Sequence, residues 1–416
     1  MARFSLRRLI FVFLITLNVV LFYFCCRVFY LFLVRQLGPV YELQVPVGPV
    51  PQFKVELPIR PKTMLVMLLS NRQSTSYAYE SMIYDILTNP FCPQKCHYTI
   101  DRSDLHRAEG VFLQPSEITQ DGPKRQSANQ KFFIFLHEAP GHSQTENFKW
   151  LAPNQINYTV GFVPGCDIYA AYGQFVPKGT DSFGQQPQQL KPTELDAEWE
   201  SVKMVVWSKT EPAFAVVSHC KTQSNRELYL NAFQQLVCSF VIIQLCSRRY
   251  PELLRLFGEC YSGRCEQIDC LAKNTETYHF YFAFENAICS RYVTEKFIER
   301  IKGLTVPVVL RRADYQHLLP NTSYIAVDDF ERMQDLASYL TMLMRNKALY
   351  LSYFDWTRHY ERNGPRQLNR ALCEACTKLY DTEHQSTYND IARWYSMERF
   401  CDPNFVPSIL KRHLES

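Results

Sequence analysis

The hydrophobic pattern divides the chain into a long apolar N-terminal segment and a body of short apolar runs alternating with amphipathic stretches. Residues 9–34 are almost wholly apolar, and residues 35–61 are rich in proline without a periodic signal. Short apolar runs follow at 64–68, 132–140, 203–208, 278–284, 306–310 and 324–329. Helical periodicity is found at 77–87, at 225–236, from Glu295 onwards and at 335–346. Strands alternating with helices in this way predict an α/β fold with parallel sheets.

A polar interruption predicts two α/β units. The stretch at 184–198 is rich in glutamine and proline and breaks the alternation of strands and helices. We therefore expect one domain over residues 62–190 and a second over 200–365, followed by a cysteine-containing helical segment at 366–416. Two such units would place a ligand cleft between them.

The N-terminal segment predicts a membrane anchor. The first eighteen residues of the apolar segment, 9–26, would rise about 27 Å as a helix, which is enough for the hydrocarbon core of a bilayer. The basic residues of the tail 1–8 precede the apolar segment 9–34, which favours a cytosolic N-terminus and a lumenal remainder beyond a stem at 35–61. A cleaved signal peptide is the alternative, but no small-residue cleavage site follows the apolar run. The pattern is typical of a single-pass type II membrane protein.

Charge and cysteine content narrow the class of protein. The formal net charge of +4 is too small to indicate a nucleic-acid partner. Thirteen of the 15 cysteines lie beyond the predicted anchor, a density that favours disulfides in an oxidising lumen over a zinc site. The odd number leaves at least one thiol free or paired with another chain, which would allow a homodimer. Two close sets are the candidate disulfide cysteines: Cys92, Cys96, Cys373 and Cys376.

Two sequons agree with a lumenal location. Asn157-Tyr158-Thr159 and Asn321-Thr322-Ser323 are acceptor sequences for N-glycosylation. Such triplets also arise by chance, so each is a weak signal by itself.

An acid and an amide follow the strand predicted at 278–284. Ligands of parallel α/β sheets bind beyond the carboxyl ends of strands, where Glu285 and Asn286 stand here. Thr294 is a suitable N-cap, which puts Glu295 and Lys296 at the first two helical positions. Free N–H groups and an ammonium at a helix start form a site for phosphate, and Glu295 could accept hydrogen bonds from sugar hydroxyls.

A second helix start carries an arginine. The sequence Ser224-Asn225-Arg226-Glu227 predicts a capping box with Ser224 as N-cap. Arg226 then lies in the first turn, where a guanidinium is unfavourable unless an anion faces it. Two helix starts with one cation each could bind a diphosphate. The alternative is that both cations are solvated or pair with nearby acids such as Glu227 and Glu299.

A carboxylate follows the run FFIFL. Glu138, in His137-Glu138-Ala139-Pro140, stands where a strand would meet the cleft and could act as a general base. It could equally be a helix cap or a surface acid.

At these positions the chain resembles the α1,3-fucosyltransferases of glycosyltransferase family ten. The resemblance rests on FYFAFENAICSRYVTEKFIERI, on VPVVL and LYLSYFDW after it, and upstream on HEAPGHS and INYTVGFVPGCDIYAAYG. It implies a GT-B type fold, in which two Rossmann-like domains face a cleft, behind an N-terminal transmembrane helix. It also implies a Golgi membrane enzyme that transfers L-fucose from GDP-fucose with inversion to a glycan hydroxyl of proteins or lipids.

The resemblance assigns roles to individual residues. Glu138 would be the catalytic base, and Arg226 and Lys296 would neutralise the departing diphosphate. Glu295 would hold hydroxyls of the donor, while Asn286 and Tyr292 would line the nucleotide site. The acceptor hydroxyl, expected to be O3 of GlcNAc, is set by loops at 70–130 whose specificity the sequence does not reveal.

Two departures from the family pattern are also consistent with an inactive relative of the family. Arg311 stands in a segment, Leu310-Arg311-Arg312, where the family usually has glycine, and the chain is longer than family spacing around 237–256. A catalytically inactive glycan-binding or Golgi-organising protein is therefore the alternative. The chain lacks an Asp-x-Asp motif of the kind that holds Mn²⁺; we expect a metal-independent chemical step, with stimulation by a divalent cation left open.

Overall fold

The protein is described here by a computed structural model that covers residues 61–67, 86, 92–180, 191–244, 253–261, 274–363, 367–383 and 386–415. The side chains of 237–244 are outside this description, as are the predicted anchor at 9–34 and nearly all of the predicted helix at 77–87. Over the described ranges, no helix is both long and apolar enough to cross a bilayer. The described residues belong to one compact unit, Arg60–Ser416.

Short strands make up two parallel sheets and one small antiparallel pair. In chain order the strands are β1 (Thr63–Val66), β2 (His97–Thr99), β3 (Gly110–Leu113), β4 (Lys131–Leu136), β5 (Tyr158–Gly161), β6 (Ile168–Tyr169), β7 (Gln174–Pro177), β8 (Glu211–Val216), β9 (Leu254–Phe257), β10 (Tyr278–Phe282), β11 (Val306–Val309), β12 (Ile325–Ala326) and β13 (Tyr360–Asn363). The first sheet has the order β2-β1-β3-β4-β5-β6 and the second the order β12-β11-β10-β8-β9. The α/β class with parallel sheets is thereby confirmed.

Helices cover the faces of both sheets. They are α1 (Pro192–Trp207), α2 (Arg226–Gln244), α3 (Glu295–Lys302), α4 (Met333–Arg345), α5 (Lys347–Ser352), α6 (Gln367–Tyr380), α7 (Ile391–Trp394), α8 (Met397–Phe400) and α9 (Phe405–Glu415). Central strands such as β4 and β11 are buried on both faces, which is why they read as nearly continuous apolar runs.

The C-terminal part of the chain returns to both sheets. Helix α6 packs on the first sheet through Ala371, Leu372 and Leu379, whereas Val406 and Ile409 of α9 join the core of the second. Strand β13 pairs antiparallel with β7, and β7 is the strand that lies between the two parallel sheets in chain order. The chain from β13 onwards therefore contacts elements that are distant from it in sequence.

Disulfides reinforce this return. The two predicted cysteine sets bond to each other, as Cys92–Cys373 and Cys96–Cys376. The described residues also contain the bridges Cys220–Cys260 and Cys289–Cys401. Among the described cysteines Cys166 is free; burial raises the pKa of its thiol to about 12, which keeps it protonated. A homodimer through an unpaired cysteine stays a prediction.

The strand predicted at 203–208 is wrong. These residues are the last turns of α1, which starts with Pro192 at its first position, a favourable place for proline. Of its residues only Val206 is buried, and Met204 is 66% exposed. The β-branched pair Val205-Val206 favoured a strand, but the strand is formed by the following segment, β8, which lies between β10 and β9 in the second sheet.

The helix predicted at 225–236 is longer than expected. Helix α2 begins at Arg226 and runs to Gln244, so the apolar residues after 236 continue the helix. This places the first part of the long segment at 237–256 on α2 and its last residues on β9.

Candidate active site

Glu138 lies at the carboxyl edge of the first sheet, two residues beyond β4. Its carboxylate is exposed and accepts two hydrogen bonds, from the hydroxyl of Tyr172 to Oε1 at 2.7 Å and from that of Tyr292 to Oε2 at 2.6 Å. Its backbone carbonyl accepts hydrogen bonds from Tyr395 and from Ser143 Oγ, the latter at 2.6 Å. Side chain and backbone are thus both held, as a base of defined orientation requires.

The two phenols reach Glu138 from different parts of the fold. Tyr172 follows β6 of the first sheet, while Tyr292 belongs to the loop between β10 and α3 of the second. Tyr292 is 2% exposed and packs on Phe162 with ring centroids 5.0 Å apart. Burial, together with the charge of Glu138, raises the pKa of both tyrosines well above the ordinary value, so both stay protonated and donate.

His137 supports Tyr172, the more exposed of the two tyrosines. Its ring stacks on Tyr172 with centroids 3.6 Å apart and on Phe135 at 5.0 Å. Burial lowers the pKa of His137 to about 4, although the charges of Glu138 and Glu295 act in the opposite direction. The imidazole beside the carboxylate is therefore neutral near pH 7.

Glu285 anchors the second half of the site. This residue is 3% exposed, and its carboxylate accepts hydrogen bonds from Thr294 N at 2.8 Å and Thr294 Oγ1 at 2.7 Å. Lys296 Nζ lies 3.3 Å from Glu285 Oε2. Burial raises the pKa of Glu285, against the opposing effect of Lys296 and Thr294. The buried acid thus fixes the turn from which α3 starts.

Helix α3 starts as the sequence predicts. Thr294 is the N-cap, with its Oγ1 accepting from Lys296 N at 3.4 Å, and Glu295 and Lys296 occupy the first two helical positions. Lys296 Nζ lies 3.1 Å from Glu295 Oε1 and 3.0 Å from Thr294 Oγ1. Burial by itself would lower the pKa of Lys296, but Glu285 and Glu295 outweigh it and raise that pKa, so the ammonium stays charged.

The predicted capping box at Ser224 is wrong. Helix α2 begins only at Arg226, and Asn225 has a left-handed backbone with φ of 54°. Ser224 Oγ accepts from Arg226 N at 3.3 Å and donates to the carbonyl of Glu285 at 2.7 Å. Glu227 instead accepts from the backbone and hydroxyl of Thr222. The carbonyl beyond β10 needs a donor, and Ser224 supplies it in place of a cap.

Arg226 is in the first turn of α2, as predicted, but it is not a solvated surface residue. Its side chain is buried, at 2% exposure, and Nη1 donates to the backbone carbonyl of Phe284 at 2.7 Å. No carboxylate within the described residues is paired with it. Glu299, offered as an alternative partner for the cations, pairs with Arg362.

Asn286 connects the two halves of the site. Its backbone carbonyl accepts from Ser224 N at 2.9 Å, and the ring of His142 interacts with its backbone. His142 belongs to the short turn that follows Glu138. Asn286 therefore lies between the loop carrying the acid and the start of α2.

The arginine at the glycine position of the family is neutralised locally. Arg311 Nε and Nη2 bond to the two carboxylate oxygens of Asp314 at 2.9 and 2.8 Å. Arg312 similarly pairs with Asp329. Where the chain is described, His, Cys, Asp and Glu side chains form no cluster of three or more that could hold a metal ion.

The two predicted glycosylation sites differ in exposure. Asn157 is 4% exposed, and its Oδ1 accepts from Phe132 N at 2.9 Å and from Arg125 at 2.9 Å. This burial conflicts with the prediction of a glycan there, because the attached sugar would have no room. Asn321 is exposed and stays a predicted acceptor.

The structure therefore brings Glu138, Tyr292, Asn286, Arg226 and Lys296 into one connected set. Sequence reasoning missed Tyr172 and Tyr395, and it noted the position of Glu285 without the structural role of that residue. Tyr172 and Glu285 stood in quoted motifs, where a polar residue follows an apolar strand run. Tyr395 lies 257 residues from Glu138, and no local pattern indicated its contact.

The fold and site define an α/β protein with a carboxylate at the edge of one sheet that accepts hydrogen bonds from two tyrosine hydroxyls. Hydrogen bonds and short loops connect this carboxylate to two cations at helix starts of the other sheet. A family model described as glycosyltransferase family 10 (fucosyltransferase), C-terminal part, matches residues 206–394. This range includes both cations but not Glu138.

Curated relatives extend the match upstream. Alpha-(1,3)-fucosyltransferase C of Drosophila melanogaster is 30% identical over 285 residues, covering 66% of this chain and 61% of that protein. Alpha-(1,3)-fucosyltransferase fut-1 of Caenorhabditis elegans is 30% identical over 274 residues, covering 65% and 55%. The 3-galactosyl-N-acetylglucosaminide 4-alpha-L-fucosyltransferase FUT3 of Bos taurus is 30% identical over 311 residues, covering 72% and 74%. The chain belongs to glycosyltransferase family 10.

The matches span little more than half the length of the two invertebrate relatives. A crystal structure of an alpha1,3-fucosyltransferase with GDP-fucose covers 78% of this chain and 91% of its own, at a TM-score of 0.48 and 17% identity.

Proposed function

We propose that this protein transfers L-fucose from GDP-fucose to a hydroxyl of a glycan carried by a protein or lipid, with inversion at the anomeric carbon. The observation that carries the proposal is the connection of Glu138, through Tyr292 and the turn before α3, to Lys296. Family membership supports the class of reaction, and the acceptor hydroxyl proposed from the sequence is O3 of GlcNAc.

Glu138 acts as the general base. The acceptor hydroxyl gives its proton to the carboxylate while its oxygen bonds to the anomeric carbon of fucose. The bond from that carbon to the phosphate oxygen breaks, and its electron pair leaves with GDP. Tyr172 and Tyr292, each bonded to a different carboxylate oxygen, keep the base oriented during the transfer.

Lys296 and Arg226 stabilise the negative charge that develops on GDP. Lys296 is charged and only partly exposed, so its field is screened less than that of a surface lysine. Glu295 is exposed and bonded to Lys296; when the diphosphate takes its place beside the ammonium, its carboxylate becomes free to bind hydroxyls of the donor. Tyr292 and Asn286 border the same space.

The two sheets would act as the two halves of a GT-B enzyme. In this division the first sheet serves the acceptor and the second the donor. A cavity of 660 Å³ at the carboxyl edge of the first sheet, bordered by Leu65, Arg102 and Glu117, supports acceptor binding on that side. The location that we propose is the Golgi membrane with the catalytic part in the lumen, which rests on the sequence alone.

The test uses the full chain purified in detergent. Incubation with GDP-fucose and a panel of glycan acceptors should release GDP and give a fucosylated product, and linkage analysis would identify the hydroxyl. Glu138→Gln should abolish transfer while still binding GDP. The proposal is refuted if the wild type neither binds GDP nor transfers fucose to any acceptor.

Retention of GDP-fucose binding without transfer would favour the alternative of an inactive glycan-binding relative. Arg311 pairs with Asp314, so this cation does not add a free charge to the site, but the departure from glycine still favours that alternative.

A further inference from the structure

Three buried polar atoms of the site have no hydrogen-bond partner among the described residues. They are Gln223 Oε1, Arg226 Nε and Asn286 Oδ1. A buried polar atom without a partner is unfavourable, so such atoms are rare in folded proteins. Arg226 is 2% exposed, and water has little access to its guanidinium. Three such atoms close together indicate a bound molecule that would pair with them.

Backbone contacts bring the three residues to one place. Gln223 and Arg226 lie on either side of Ser224, whose backbone N–H donates to the carbonyl of Asn286 at 2.9 Å. The turn after Glu138 closes the other side, because a Cβ atom built on Gly141 would lie 1.7 Å from Gln223 Nε2. Gln223 therefore lies between the turn that follows Glu138 and the start of α2.

We propose that Gln223 contacts the sugar of the donor, with its side-chain carbonyl oxygen accepting a hydrogen bond from a sugar hydroxyl. Neither sequence patterns nor family resemblance assign a role to Gln223. The inference rests on the proposed function for the identity of the donor, and it adds a residue that selects for the sugar.

The types of atom decide which part of the donor Gln223 binds. Gln223 Oε1 and Asn286 Oδ1 are acceptors only, and acceptors repel the oxygens of a phosphate. A hydroxyl can donate to either of them. Arg226 Nε–H is a donor and suits the adjacent phosphate. The set thus matches a hydroxylated sugar attached to a diphosphate.

Gly141 has a defined part in this arrangement. The end of the Gln223 side chain occupies the space in which a Cβ atom of residue 141 would stand, with Gln223 Cδ and Oε1 both at 2.5 Å from it. An alanine at this position would displace the flexible end of Gln223, to which the three nearest atoms belong. Gly141→Ala and Gln223→Ala should therefore damage the same contact.

The experiment compares binding of GDP-fucose with binding of GDP by calorimetry on the full chain. Loss of one neutral hydrogen bond corresponds to roughly three- to tenfold in affinity. We expect Gln223→Ala, Gln223→Met and Gly141→Ala each to weaken GDP-fucose by that factor and to leave GDP unchanged. The double variant Gly141→Ala/Gln223→Ala should be no weaker than either single variant. Lys221→Ala, an exposed neighbour, is the control and should match the wild type.

Several outcomes would overturn the inference. Unchanged GDP-fucose affinity in Gln223→Ala would mean that ordered water pairs with the amide. An equal loss for GDP and GDP-fucose would assign Gln223 to the nucleotide, and additive losses would separate it from Gly141. If the wild type binds GDP-fucose but does not transfer fucose, the proposed reaction fails while the contact with the sugar is still tested.

Discussion

The hydroxyl of Tyr292 offers a direct measure of how far the site depends on a fixed carboxylate. Tyr292→Phe removes one oxygen, and with it the 2.6 Å hydrogen bond to Glu138 Oε2. The ring stays in place because it is 2% exposed and packs against Phe162. The substitution thus changes the orientation of the base and little else.

The size of the effect follows from burial. A hydrogen bond to a charged group contributes about 1.5–3 kcal/mol, which corresponds to roughly 10- to 150-fold in rate if the bond is needed in the transition state. Water has little access to the position of the Tyr292 hydroxyl, so we expect a fall in kcat within this range. Tyr172 is partly exposed, and water can replace its hydroxyl; Tyr172→Phe should cost about three- to tenfold.

The assay should separate turnover from donor binding. If Tyr292 orients Glu138, kcat falls while the Kd for GDP-fucose stays the same; if Tyr292 instead lines the nucleotide site, that Kd rises. Tyr229→Phe is the matched control, because the Tyr229 hydroxyl is buried and bonds to His413, outside the site. Thermal unfolding of each variant shows whether the fold is retained.

One result would refute the reasoning. If Tyr172→Phe, Tyr292→Phe and the double variant all keep wild-type kcat while Glu138→Gln is inactive, the carboxylate does not need these bonds. The base would then be oriented by its backbone contacts with Tyr395 and Ser143 alone.

The remaining predictions concern stability, modification and metal dependence. Because the pKa of His137 is lowered by burial to about 4, the unfolded chain binds the extra proton first, and stability should fall as pH drops from 6.5 towards 4; His137→Phe should reduce this fall in thermal unfolding, and an unchanged fall would contradict it. Cys373→Ser/Cys376→Ser should lower the free energy of unfolding by about 2–5 kcal/mol in denaturant titrations, since each bond closes a loop of about 280 residues. Glycosidase treatment should shift the gel mobility of the wild type but not that of Asn321→Gln. A shift that remains in the variant would point to another acceptor. EDTA should leave fucose transfer intact, and complete loss would show a metal requirement.

The local pattern was sufficient for the elements whose character is set by neighbours in sequence. Strands β1, β4, β10 and β11 are largely buried on both faces, so their apolar runs are recognisable without any knowledge of the sheet. The start of α3 was equally clear, because an N-cap acts within one turn. Where two local preferences competed, as at 203–208, the pattern favoured the wrong element.

The site was only partly accessible to sequence reasoning. Charged residues at strand ends and helix starts could be found because parallel sheets bind ligands there. The partners of those residues could not, since their choice depends on which loops meet in space. Glu285 shows the difference: its position beyond a strand was visible, but its burial under Thr294 and Lys296 was not.

The apolar strands β1, β4, β10 and β11, the cations at two helix starts and the acid after β4 follow from the sequence alone, because each depends on residues a few positions apart. Tertiary structure alone decided that Tyr172, Tyr292 and Tyr395 meet at Glu138 and that Arg226 is buried. These contacts join residues up to 257 positions apart, and they exist only because the two sheets and the returning C-terminal helices pack together.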